Sequence, residues 1–260
     1  MPASSARGLA ADLARAVRAG GAEPAVVGVL RGRAVVGMSD AELGELLDAA
    51  AADPARVPKL NSANLGLALH ARTSGGASGG SHGATTVSAT MELAHGAGVR
   101  VFATGGLGGV HKGLAQRLDI SGDLAALARV PMVVVCSGVK SILDVESTRE
   151  ALETLGVPVI GYQCDRFPAF YVRESDAGVD ARMETPDDIG AYARAELARV
   201  QSAGWPRAIV VVNPVPREHE MSRAEFDALL ARAERAAHES GARGRDVTPR
   251  VLASLHALSE

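Results

Sequence analysis

Residues 121–144 read SGDLAALARVPMVVVCSGVKSILD, and the order of residue types along them decides the fold. Ser121 stands where a helix N-cap belongs, and Leu124 and Leu127 follow at helical spacing. After Pro131 the pattern changes to a continuous apolar run, residues 132–136, which ends at Ser137-Gly138. A run that short, apolar and β-branched reads as a strand buried on both faces. Such strands belong to parallel sheets with helices on either side.

Outward from this unit the same alternation continues. Helices are predicted over residues 85–95, 146–155, 186–203, 223–240 and 247–258, and strands over 99–104, 157–162 and 208–212. The fold class that follows is α/β, a three-layer α/β/α sandwich with a largely parallel central sheet, with residues 1–260 as one domain. Before it, residues 9–19 form a helix ended by Gly20-Gly21, and residues 25–30 and 34–37 form a hairpin about Arg31-Gly32. Ser39 and Glu42 have capping-box spacing and open a helix through residue 52; another spans 61–71. Residues 74–83, SGGASGGSHG, have linker composition, so a flexible loop is expected over 73–84. In parallel α/β sheets, ligands bind beyond the carboxyl ends of the strands. The loops after Thr104, Cys136, Tyr162 and Val212 are therefore the ones to search.

Composition narrows the function. A net charge of −3 with no basic stripe argues against a nucleic-acid polymer as partner. No apolar stretch approaches the ~20 residues that span a bilayer, and the first residues carry spaced charges rather than a signal sequence. Of two cysteines, Cys136 lies in the apolar run and reads as core, while Cys164 falls in a polar turn. Neither belongs to a metal-binding spacing, and so few thiols point to a reducing, cytoplasmic setting. Aromatic residues make up only 3%, so Ala, Val and Leu must build the core.

Three loop segments carry residue types suited to chemistry. Residues 105–113, GGLGGVHKG, allow close backbone approach to a ligand, but His111 breaks both the Walker pattern and the dinucleotide fingerprint. A phosphate cradle and a tight structural turn both remain open for this loop. In Asp119-Ile120-Ser121-Gly122-Asp123, two carboxylates flank a hydroxyl; they either decorate a helix start or hold a hard cation and sugar hydroxyls. Lys140 follows the buried strand, where desolvation can free its amine to attack a carbonyl. The chain has only three lysines, Lys59, Lys112 and Lys140, while its solvated faces use arginine.

Taken in order, several stretches resemble the pseudouridine-5′-phosphate glycosidase family. They are GAEPAVVGVLRGRAVVGMSDAEL, GATTVSATMELAHGAGVRVFATGGLGGVHKG, LDISGDLAALARVPMVVVCSGVKSILD, TLGVPVIGYQCDRFPAFYVR, VVVNPVPREHEM and GRDVTP. The resemblance implies cleavage or formation of the C–C bond joining uracil to ribose 5-phosphate, with manganese or another divalent cation, in a homotrimer. It implies Lys140 as the Schiff-base lysine and Asp119 as metal ligand. Lys59, Val87, Ser121, Gly122 and Asp123 are implied to bind substrate. The family's general-acid glutamate, in an Ala-Leu-Glu-Ser-Thr strand, and its asparagine, in a Gly-Gly-x-Ser-Leu-x-x-Asn helix, have no match in the 260 residues. These residues alone are thus expected to bind ribose 5-phosphate but turn substrate over poorly. Asn61-Ser62-Ala63-Asn64 replaces the family's Arg-Arg-Asp region. Two other readings are a C-glycosynthase joining ribose 5-phosphate to an aromatic precursor and a non-catalytic sugar-phosphate binder.

Overall fold

The computed structural model describes residues 3–73, 82–114 and 118–239, together with 251, 254 and 255. The expected loop at 74–83 and the expected helix at 247–258 fall mostly outside the described residues. In chain order the elements begin with α1 (Ala3–Ala19), β1 (Val27–Leu30), β2 (Arg33–Val36), α2 (Asp40–Ala52), β3 (Lys59–Leu60) and α3 (Ser62–Thr73). Then come β4 (Ala84–Thr85), α4 (Val87–Gly96), β5 (Val101–Ala103), β6 (Val110–His111), α5 (Gly122–Leu127), β7 (Val133–Cys136) and β8 (Leu143–Asp144). The rest are α6 (Val145–Thr154), β9 (Val159–Tyr162), β10 (Ala181–Met183), α7 (Pro186–Ser202), β11 (Ile209–Val212) and α8 (Arg223–Glu239).

The central sheet has the order β10-β9-β11-β7-β5, and every pairing in it is parallel. Its strands alternate between two cores, as a period of two requires. Val134, Cys136, Val210 and Val212 face the larger core with residues of α4, α5, α6 and α8. Val133, Ile209 and Val211 face the other way, against Ile189, Ala193 and Leu197 of α7. Connection handedness explains this split. The chain advances across the sheet from β5 to β7 to β9, and both connecting helices pack on one face. From β10 to β11 it runs back, and right-handed crossover then puts α7 on the opposite face. The three layers follow.

Local signals near the start hold as expected. Ser39 Oγ accepts the Glu42 amide and Glu42 Oε2 accepts the Ser39 amide, so both halves of the capping box are present. Arg31 and Gly32 both have positive φ, 51° and 71°, the pattern that closes a two-residue hairpin. The helix expected from residue 85 instead starts at Val87, because Ala84 and Thr85 pair in parallel with Lys59 and Leu60. Periodicity cannot detect a two-residue strand. Cys164, flanked in its turn by exposed Gln163 and Asp165, is itself buried, its thiol lying 3.8 Å from the Val212 carbonyl. Burial pushes its pKa up to about 11 and that of Cys136 to about 12, so both thiols are inert.

A long connection without a helix, residues 163–180, crosses the carboxyl ends of the strands. It is tied down by Phe167 N–H to the Ala177 carbonyl (2.9 Å) and Arg149 Nε–H to the Gly178 carbonyl (3.1 Å). Gly138, at φ +81°, lies so close beneath it that a Cβ would fall 1.8 Å from the Pro168 carbonyl oxygen. Only glycine satisfies both demands. Gly138→Ala should therefore lower Tm by about 6–12 °C in a thermal melt. Gly122→Ala, whose Cβ would meet nothing within 4 Å, should leave Tm within about 2 °C.

Candidate functional site

The site is built where β5 and β7 continue to pair after the sheet ends. Ser137 N–H donates to the Gly105 carbonyl (3.0 Å), Leu107 N–H to Gly138 (2.9 Å), and Lys140 N–H to Leu107 (3.1 Å). The glycine-rich loop and the loop bearing Lys140 thus run side by side in fixed register. Tight packing explains the glycines. A Cβ on Gly108 would lie 2.2 Å from Ser121 Oγ, and one on Gly109 would lie 2.3 Å from Thr148 Oγ1. Thr148 Oγ1 also accepts the Val110 amide (2.9 Å).

Asp123 is the linchpin of this arrangement and is 3% exposed. Its Oδ1 accepts the Ser88 amide in the first turn of α4 (3.0 Å), and its Oδ2 accepts the Gly108 amide (2.9 Å). One carboxylate therefore joins α4, α5 and the glycine-rich loop. Ser121 is the N-cap of α5: its hydroxyl accepts the Asp123 amide (3.2 Å) and its own amide donates to the Gly109 carbonyl (2.9 Å). Asp119 lies just before it, its carbonyl accepting the His111 amide (3.0 Å). Gly122 is exposed, with open space where a side chain would be.

Lys140 emerges half-buried from this frame. Burial penalises its ammonium form and lowers its pKa; the Asp123 carboxylate opposes that shift and the nearby Lys59 ammonium reinforces it. The net direction is downward, toward the free amine that a nucleophile requires. Lys59 stands on β3, whose pairing with β4 brings it toward α4 and hence toward Lys140. That pairing was invisible in the sequence. Lys112, by contrast, is exposed and lines a cleft of about 330 Å³ with Ser141, Asp144 and Glu146, in which Lys140 takes no part.

Val87 is only 6% exposed and belongs to the main core. Its side chain is therefore turned into the core, and of the first-turn amides of α4, which lack intrahelical partners, that of Ser88 goes to Asp123. Sequence reasoning missed Ser88, which receives Asp123, and Thr148, which seats Gly109. It also missed Phe170, whose ring lies against Gly105 and Gly106. Clustering of aromatic residues around 162–171 in an aromatic-poor chain was the available signal.

Among the described residues, no three His, Cys, Asp or Glu side chains are grouped so as to hold a metal ion. A carboxylate such as that of Asp119 is of the type that holds a hard cation together with water and substrate oxygens.

The whole chain, residues 1–260, matches the family described as indigoidine synthase A like protein. A pseudouridine-5′-phosphate glycosidase of Methylobacterium nodulans is 46% identical over 243 residues, covering 94% of this chain and 67% of that protein. One of Symbiobacterium thermophilum is 44% identical over 250 residues, covering 95% and 76%. Among solved structures, the prealnumycin C-glycosynthase AlnA in complex with ribulose 5-phosphate superposes with a TM-score of 0.81 at 36% identity, covering 95% of this chain and 76% of that one. An indigoidine synthase A-like protein of Thermotoga maritima gives 0.78 at 33% identity, with 95% and 75% covered.

The electrostatic assignment around Lys140 has a measurable consequence. Competitive labelling with a limiting amine reagent across pH should show Lys140 titrating below an ordinary lysine. In Lys59→Met the inflection should move up, because a neighbouring cation that disfavours the ammonium has been removed.

Proposed function

Because the chain belongs to the indigoidine synthase A like family, we propose that it breaks and forms the C–C glycosidic bond between ribose 5-phosphate and a base, using Lys140 as nucleophile. The curated relatives named pseudouridine-5′-phosphate glycosidase make uracil the base of first choice. The observation that carries the reading is the half-buried Lys140, its amine favoured by desolvation and locked in register with the glycine-rich loop.

Residue chemistry explains why a lysine is needed. The carbon that links the base has no lone pair to protonate, so the push that expels it must come from an electron donor on the sugar side. Lys140 Nζ adds to C1 as the C1–O4′ bond opens and O4′ takes a proton. The nitrogen lone pair then forms an iminium while the C1–base bond breaks and the base carbon is protonated. Water hydrolyses the iminium, releasing the aldehyde of ribose 5-phosphate and restoring the amine. Protein groups hold the sugar so that these atoms meet. Lys59 is the phosphate or hydroxyl contact, and the stretch Ser121 to Asp123, with the Val87 backbone, lies along the sugar.

Manganese or another divalent cation at Asp119 belongs to the same reading, supplying charge neutralisation for substrate oxygens. So do a homotrimeric assembly and a cytoplasmic location, both carried over with the family. Two buried, inert thiols are in keeping with that location. No helix among the described residues is long and apolar enough to cross a membrane.

Incubation with pseudouridine 5′-phosphate should release uracil, and Lys140→Arg should lower that release by about 10³-fold or more, since a guanidinium does not give up its proton. Release from these residues is expected to be slow, since the family's glutamate and asparagine have no match in them, and equal release by both proteins would overturn the assignment. Gly122→Ala, harmless to the fold, should weaken ribose 5-phosphate binding about tenfold if the sugar occupies the open space there. Calorimetry reads that change directly.

A further inference from the structure

Phe170 has φ 58°, one of three non-glycine residues with positive φ among the described residues, with Arg31 and Gln163. Left-handed backbone is a true outlier for a bulky side chain. Ala169 and Val172 pair with each other, which makes Phe170 and Tyr171 the centre of a two-residue hairpin turn. Positive φ at the first central position alone is the type II′ pattern, where glycine is the usual occupant. A phenylalanine there is held against its own preference. Strain of this kind collects at functional sites, where the surrounding structure enforces it.

That enforcement is visible. Phe170 N–H donates to the Ser137 carbonyl (2.9 Å), the Ser141 hydroxyl donates to the Ala169 carbonyl, and Tyr171 N–H reaches Ser141 Oγ (3.4 Å). These anchors are the two serines that bracket Gly138, Val139 and Lys140. The ring itself rests on the glycine-rich loop. A Cβ on Gly105 would come within 3.0 Å of it, and one on Gly106 within 2.7 Å. Tyr171 meets it edge-on, with centroids 4.6 Å apart at 89°, and so fixes the ring plane. Phe170 as a whole is half-buried.

The glycine-rich loop orders the groups of the site. At its start, Gly105 and Gly106 carry Phe170; in its middle, the Leu107 carbonyl receives the Lys140 amide; at its end, Gly108 and Gly109 meet Asp123, Ser121 and Thr148. A C-glycoside whose C1 is bonded to Lys140 has its hydroxyls on one side and its base on the other. Polar groups occupy the far side, so the base falls toward Phe170.

We propose that Phe170 is a specificity-determining residue, its ring the wall on which the planar base stacks while C1 is held at Lys140. The proposal rests on the sugar-phosphate reading above. Of the chain's eight aromatic residues, Phe170 and its edge-on partner Tyr171 are adjacent on this turn. A stacking wall selects flat π-systems and tolerates their substituents, so the same wall accepts uracil and larger aromatic acceptors alike.

The test measures binding of pseudouridine 5′-phosphate and of ribose 5-phosphate by calorimetry in a Lys140→Met background, where turnover is blocked. Adding Phe170→Leu should weaken the nucleotide by about tenfold or more while leaving ribose 5-phosphate within about twofold. Phe170→Tyr should keep both affinities. Phe170→Gly, which suits the positive φ, should hold or raise Tm and still lose the nucleotide preference. Equal weakening of both ligands would make Phe170 a structural residue only, and unchanged nucleotide affinity would place the base elsewhere. Failure of the Lys140→Met protein to bind ribose 5-phosphate at all would remove the underlying reading, and this proposal with it.

Discussion

A single buried carboxylate holds the working end of this protein together. Asp123 has almost no contact with solvent, and burying an ionised carboxylate is costly unless strong donors meet it. Here the donors are backbone amides from two segments that are far apart in sequence, at Ser88 and Gly108. Because amides cannot be repositioned without moving the chain, the carboxylate fixes the start of α4, the glycine-rich loop and the start of α5 relative to one another. The same charge lies close enough to Lys140 to oppose its deprotonation, while burial and Lys59 favour it. Architecture and reactivity therefore meet in one side chain, and loss of Asp123 would disturb both.

The constraint also reassigns roles among the residues implied by resemblance. Asp123 and Ser121 use their principal oxygens within the protein: one clamps the start of α4 to the glycine-rich loop, the other caps α5. Val87 turns its side chain into the core. In the proposed reading, what these residues present to a ligand is chiefly backbone and a shaped surface. Lys140 and Lys59 are the charged groups that influence one another here. Such a division suits a reaction in which the protein supplies one nucleophile and the substrate must be held accurately against it.

Much of the fold was legible in the sequence because it rests on periodicity. Runs such as residues 132–136 and 208–212 can be satisfied only as strands covered on both faces, and the fold buries them so. The direction in which the chain crosses the sheet was not legible. It depends on β11 inserting between β9 and β7, a long-range choice that no local pattern encodes. Lys140 and the stretch Asp119 to Asp123 could be found because unusual residue types crowd the ends of predicted elements. The β3–β4 pairing that brings Lys59 near Lys140 could not, since two residues carry no period. Nor could the positive φ of Phe170, which arises from the hydrogen bonds of its neighbours rather than from its own preference.

The claim on which everything turns is that Lys140, and no other amine, bonds to the sugar. Incubating the protein with ribose 5-phosphate and borohydride, then locating the reduced adduct by peptide mass mapping, tests it most directly. One sugar phosphate per chain, attached at Lys140, is the predicted result. An adduct confined to Lys59 or Lys112 would contradict it.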